Sequence, residues 1–125
     1  MRTMYHATRD ISLPDIQQQG LTPAMLPEEF RGRKGIYLST DPEYVIEFAS
    51  VMTKMGRDVI QEQGLTRRLH DWYLLEVNIP SDTHLEPDPG YVVEGEYRGY
   101  ILFGSVGPEN IRVLRKLSAE ELLAR

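Results

Sequence analysis

The chain contains no cysteine, which excludes disulfides, thiol nucleophiles and thiolate metal sites and fits a cytoplasmic protein. No apolar run approaches the ~18 residues that a membrane-spanning helix needs, so no membrane role is expected. The first residues, Met1-Arg2-Thr3-Met4-Tyr5-His6, lack the apolar core of a secretion signal. There is no glycine-rich phosphate loop and no Gly-x-Ser-x-Gly elbow. His6, His70 and His84 have no metal-ligand spacing, so no metal is expected. Internal repeats, low-complexity tracts and linkers are also missing. The whole of residues 1–125 reads as one domain, with 41% hydrophobic and 26% charged residues, as in an ordinary globular protein.

Charge is present but uneven. Nineteen acidic residues against 14 basic ones give a net charge of −5, which argues against a broad nucleic-acid footprint but not a local one. Arg31, Arg33 and Lys34 cluster in one loop, whereas Glu86, Asp88, Glu94 and Glu96 gather late in the chain. A cationic loop facing an acidic strand suits a ligand with both a pyrophosphate and a cationic ring, and equally suits two solvated loops.

The organising stretch is Gly35-Ile36-Tyr37-Leu38-Ser39-Thr40. Ile36 and Leu38 alternate with Tyr37 and Ser39, the pattern of a half-buried strand. Thr40 with Glu43, and Pro42 in the first turn, then signal a helix start. Tyr44, Val45, Phe48 and Met52 form its apolar stripe, Gly56 is expected to stop it, and a separate helical piece is expected over 57–63. A strand running into a helix N-terminus offers free N–H groups to a phosphate-bearing ligand, with Tyr37 alongside as a stacking surface.

Elsewhere a first strand is expected over 4–8. Ser12 caps a helix through Gln19 that Gly20 closes. Residues 24–34 read as an irregular loop able to close over a site. Trp72–Ile79 is the most apolar run and a strand, and 81–91 reads as loop. Residues 91–97 and 99–106 read as two strands joined near Arg98-Gly99, or alternatively as one bent strand; a turn covers 107–110, and a last strand covers 111–114. Ser118 and Glu121 form a capping box for a closing helix. Helices early and antiparallel strands late indicate an α+β domain.

Three groups of residues, Tyr5-His6-Ala7-Thr8, the Ile16-x3-Gly20-Leu21-x-Pro23 run and Gly35-Ile36-Tyr37-Leu38-Ser39, together resemble the ADP-ribosyltransferase superfamily. Within it they resemble the branch with a His-Tyr-Glu triad, which includes diphtheria-toxin-like enzymes and poly-ADP-ribose polymerases. The tail Gly104-Ser105-Val106-Gly107-Pro108-Glu109-Asn110-Ile111 resembles the closing turn of small members and of the related RNA 2′-phosphotransferases.

The resemblance implies a split, bent antiparallel β-sandwich with short helices and NAD, as co-substrate, in the cleft. His6 would hold the adenosine ribose, with Thr8 on the same face. Tyr37 would stack on nicotinamide, with Phe48 or Tyr44 as the second aromatic, while Ser39 and Arg31 would complete the NAD-binding set. Glu96, or Glu94 on the same face, would be catalytic. Such a carboxylate grips the ribose 2′-hydroxyl and stabilises the positive charge that develops as the nicotinamide bond breaks.

The implied activity is ADP-ribosyl transfer from NAD to an unidentified acceptor, protein or nucleic acid. Two alternatives stand beside it. One is an RNA 2′-phosphotransferase, which would have a histidine in place of Tyr37 and would use arginines such as Arg9, Arg31 and Arg33. The other is a non-catalytic relative that binds a nucleotide or a protein.

Overall fold

The longest apolar run becomes the strand around which the sheet is assembled. In the computed structural model, residues 1–26, 31–90 and 92–125 are described. In chain order the elements are β1 (Arg2–Arg9), a 3₁₀ turn (Asp10–Ser12), α1 (Leu13–Gln19), β2 (Ala24–Met25), β3 (Lys34–Ser39) and α2 (Pro42–Glu62). Then follow β4 (Trp72–Ile79), β5 (Glu86–Pro87), β6 (Val92–Val93), β7 (Glu96–Tyr97), β8 (Gly99–Leu102), a 3₁₀ turn (Pro108–Asn110), β9 (Ile111–Leu117) and α3 (Ala119–Leu123).

The domain is α+β. Among the described residues an antiparallel sheet runs β5-β8-β3-β1-β4-β9, with β2 joined to β3, and β6 and β7 form a separate two-stranded ribbon. Both faces of β4 are covered, so its side chains divide by parity. Leu75, Val77 and Ile79 pack with Met4, Ile36 and Leu38 on one face. Trp72 and Leu74 pack with Val45, Ile46 and Ala49 of α2 on the other. Leu75 and Val77 are fully enclosed, and each such side chain contributes about 2 kcal/mol through removal from water.

One seam of the sheet is thin. The whole of β1 pairs with β4, from Arg2 opposite Ile79 to Arg9 opposite Trp72. Against β3, by contrast, β1 keeps a single registered pair, Tyr5 with Ser39. The rest of β3 pairs on its other side with β8, Ile36 opposite Leu102 through Ser39 opposite Gly99. The two halves of the sheet therefore part immediately beyond Tyr5 and Ser39.

Several local expectations are corrected. Helix α2 passes through Gly56 to Glu62 as one helix, because a glycine inside a helix costs only about 1 kcal/mol and the packed stripe upstream carries it. Its N-cap is Asp41, not Thr40: the Asp41 carboxylate accepts from Glu43 N at 3.0 Å. The buried stripe is Val45, Ile46, Ala49, Ser50 and Thr53, which leaves Tyr44 and Phe48 at its edge. Strand β9 runs on to Leu117, three residues past the expected end, and Ser118 then caps α3 by accepting from Glu121 N at 3.1 Å.

The expected strands over 91–97 and 99–106 become a hairpin, β6–β7, followed by the short β8; Tyr91 lies outside the described residues. The hairpin forms because Glu94 and Gly95 both take positive φ, 52° and 80°, as a tight two-residue turn requires. Val106 leaves the strand to form an isolated bridge with Leu21. That bridge requires Gly20, whose φ is +80° and where a Cβ would come within 1.9 Å of the Val106 carbonyl oxygen. The expected loop over 24–34 contains β2, and its residues 27–30 lie outside the described residues.

Candidate active site

Where β1 and β3 part, the sheet opens into a cavity of about 310 Å³, within the range of small-molecule sites. His6 and Ala7 line it from β1, Tyr37, Leu38 and Ser39 from β3, Tyr44, Val45 and Phe48 from α2, and Gly99 from β8. Five of the residues singled out from the sequence, His6, Tyr37, Ser39, Tyr44 and Phe48, thus meet around one space.

His6 bridges the parting strands. Its Nδ1–H donates to the Tyr37 carbonyl oxygen at 2.7 Å, on the side of β3 where registered pairing with β1 has ended. A carbonyl can only accept, so this bond fixes the tautomer and leaves Nε2 as an acceptor in the neutral ring. Burial pushes the His6 pKa below its usual value, partly opposed by the bond to Tyr37. This shift favours the neutral ring near pH 7.

The aromatic walls are accessible. Tyr37 is 36% exposed and Phe48 38% exposed, so both retain ring surface for a planar ligand. Phe48 is braced from behind by Trp72, edge to face, with ring centroids 6.3 Å apart. Ser39 plays a different part. It is 2% exposed, and its hydroxyl donates to the Arg98 carbonyl oxygen at 2.6 Å and accepts from Asp41 N at 3.0 Å. Ser39 thereby ties the segment after the β6–β7 ribbon to the start of α2. An Arg98–Asp41 ion pair at 3.8 Å reinforces this rim.

Four candidates do not join the cavity lining among the described residues. Thr8 is buried, with its hydroxyl directed to the Arg9 carbonyl at 3.5 Å. Arg31 is exposed in a left-handed turn with φ 54°. Glu94 occupies the ribbon's turn and is no longer a strand partner of Glu96, so the two do not share a strand face. Glu96 is exposed in β7, three positions before the lining residue Gly99. That stretch spans at most about 10 Å, so the Glu96 backbone lies within that distance of the lining residue Gly99. Arg33, the second cation of its loop, lies over the Phe103 ring at 3.6 Å and pairs with Glu86 at 3.5 Å.

Sequence patterns missed Asp41 and Arg98 as rim residues. The usable signal for Asp41 was its preference, as an aspartate before proline, for the N-cap position. Nothing local marks Arg98, whose role depends on a serine 59 positions earlier. Among the described residues no group of three His, Asp or Glu is arranged to hold a metal ion, and no helix is long and apolar enough to cross a membrane. No protein-family profile and no curated protein matches the chain.

Proposed function

We propose that the chain is an NAD-dependent ADP-ribosyltransferase of the His-Tyr-Glu type, with an ADP-ribosyltransferase-like split sheet. It would transfer ADP-ribose from NAD to a macromolecular acceptor and release nicotinamide. The observation that carries this reading is the His6–Tyr37 bridge across the parting of β1 and β3, beside a cavity walled by Tyr37, Tyr44 and Phe48. Its volume suits the nicotinamide end of NAD, and a planar cationic ring is stabilised over tyrosine and phenylalanine faces. Neutral His6 offers Nε2 as acceptor to a ribose hydroxyl.

Glu96 is the carboxylate proposed to stabilise positive charge developing on the ribose, by closing in from the tethered ribbon. Glu94, in the turn, is the weaker candidate. Arg9, Arg31 and Arg33, on which a 2′-phosphotransferase would rely, do not line this cavity among the described residues, so that alternative has less support. The cysteine-free sequence supports a cytoplasmic site of action. Calorimetric titration with NAD tests the site: the wild type binds, and Tyr37→Ala loses about tenfold or more in affinity. Equal affinity in both proteins would refute the stacking role.

A further inference from the structure

A second cavity, about 320 Å³, lies behind the Phe48–Trp72 pair. Its floor is the C-terminal half of α2 and the segment after it. Met55, Val59 and Leu65 line it and are 57%, 47% and 40% exposed, an unusual concentration of apolar surface on a chain this polar. Its rim carries Arg9, Arg67 and Arg68. None of these three has a carboxylate within 4.0 Å among the described residues. The histidine on the same rim, His70, is already held by Asp10 at 3.0 Å. Arg9 is positioned over the Trp72 ring, 5.6 Å from its centroid, so its guanidinium is fixed at the mouth.

Guanidinium groups with no carboxylate within 4.0 Å, set around exposed aliphatic side chains, suit a ligand that is anionic and apolar at once. A nucleic-acid strand is the poorer fit, because the exposed lining, Met55, Val59 and Leu65, is aliphatic, Trp72 is buried, and His70 is held by Asp10, which leaves little surface for base stacking. We propose that this second cavity is a docking groove for an acidic, leucine-bearing peptide segment of a partner protein. Leucine side chains would enter over Met55 and Val59, the methionine adapting to their shape, and flanking carboxylates would meet Arg67 and Arg68. Docking does not require NAD to bind. If the transferase reading holds, a partner seated here lies one aromatic pair away from the first cavity and is the acceptor.

Trp72 is the chain's single tryptophan and lines the groove, so its fluorescence reports occupancy. The probe is a peptide of about a dozen glutamates with leucine at every third or fourth position. Comparators are an all-glutamate peptide and a thymidine oligonucleotide of similar length. Expected results are saturable binding of the leucine-bearing peptide and at least about tenfold weaker binding of both comparators. Arg67→Ser/Arg68→Ser and Val59→Gln should each lower its affinity by about tenfold. Both variants alter exposed positions and should keep the wild-type melting temperature and NAD affinity. No binding of the peptide, equal binding of the all-glutamate chain, tighter binding of the oligonucleotide, or unchanged affinity in the variants would each overturn the proposal. The wild-type comparison of the three probes decides it even if a variant folds poorly.

Discussion

Replacing Ser39 by alanine removes the hydroxyl on which the cavity rim depends. That hydroxyl makes two bonds, to the Arg98 carbonyl at 2.6 Å and from Asp41 N at 3.0 Å, in a position only 2% exposed. Each such bond is worth about 0.5–1.5 kcal/mol net. No large cavity is created, because only one oxygen is lost, so the expected destabilisation is about 2 kcal/mol. For a chain of this size that corresponds to roughly 8 °C in melting temperature. Chemical denaturation and thermal melting of Ser39→Ala, side by side with Thr3→Ala, provide the assay. Thr3 makes an exposed hydrogen bond to Asn78 at 3.0 Å, and its replacement should stay within about 0.5 kcal/mol of wild type. A loss below about 0.5 kcal/mol for Ser39→Ala would show that the rim is held by other contacts, and the tether reasoning would fail.

Two further predictions concern pH. Asp71 accepts from Ala119 N at 2.8 Å and sits 3.6 Å from Lys116, and the first of these contacts does most to hold its carboxyl below the usual value. Its contribution is therefore complete above the unfolded pKa near 3.8 and is lost as pH falls through the lower folded value. Asp71→Asn should be destabilised at pH 7 and should close part of its gap to wild type in acid, as read by melting temperature at both pH values. His6 is shifted down by burial, so its stability contribution is present above 6.5 and declines as pH falls through the folded pKa. In an NMR titration its ring should protonate below 6.5, and His6→Gln should lose less stability than wild type between pH 7 and pH 5. A His6 titration at or above 6.5 would contradict the downward shift by desolvation.

What sequence could disclose follows the range of the interactions involved. Strand β4 was legible to the residue, because its apolar run is bounded by Pro80 and needs no distant partner to be recognised. The Ser118 cap and the Gly20 stop were legible because capping is chemistry between near neighbours. The end of α2 was not, because glycine lowers helix stability without forbidding it and the outcome depends on what the helix packs against. His6, Tyr37, Tyr44 and Phe48, which the family resemblance implied as ligand-binding residues, line one cavity, a grouping that strand parity and helix periodicity by themselves do not disclose.

The parting of β1 from β3 was not legible. It depends on a register that leaves only Tyr5 opposite Ser39, and a one-residue shift would turn every side chain over. Glu94 and Glu96 were expected on one face of one strand, but the tight turn at Glu94-Gly95 separates them. That turn is a recognisable Glu-Gly pair in retrospect, though both residues also fit an extended strand end.

The most direct test of the proposed chemistry is release of nicotinamide from NAD by the purified protein, with Glu96→Gln and Glu94→Gln assayed in parallel. Slow turnover in the wild type, eliminated by Glu96→Gln and largely kept by Glu94→Gln, is the predicted result. Turnover that survives in Glu96→Gln, or no turnover together with no calorimetric binding of NAD, would contradict it.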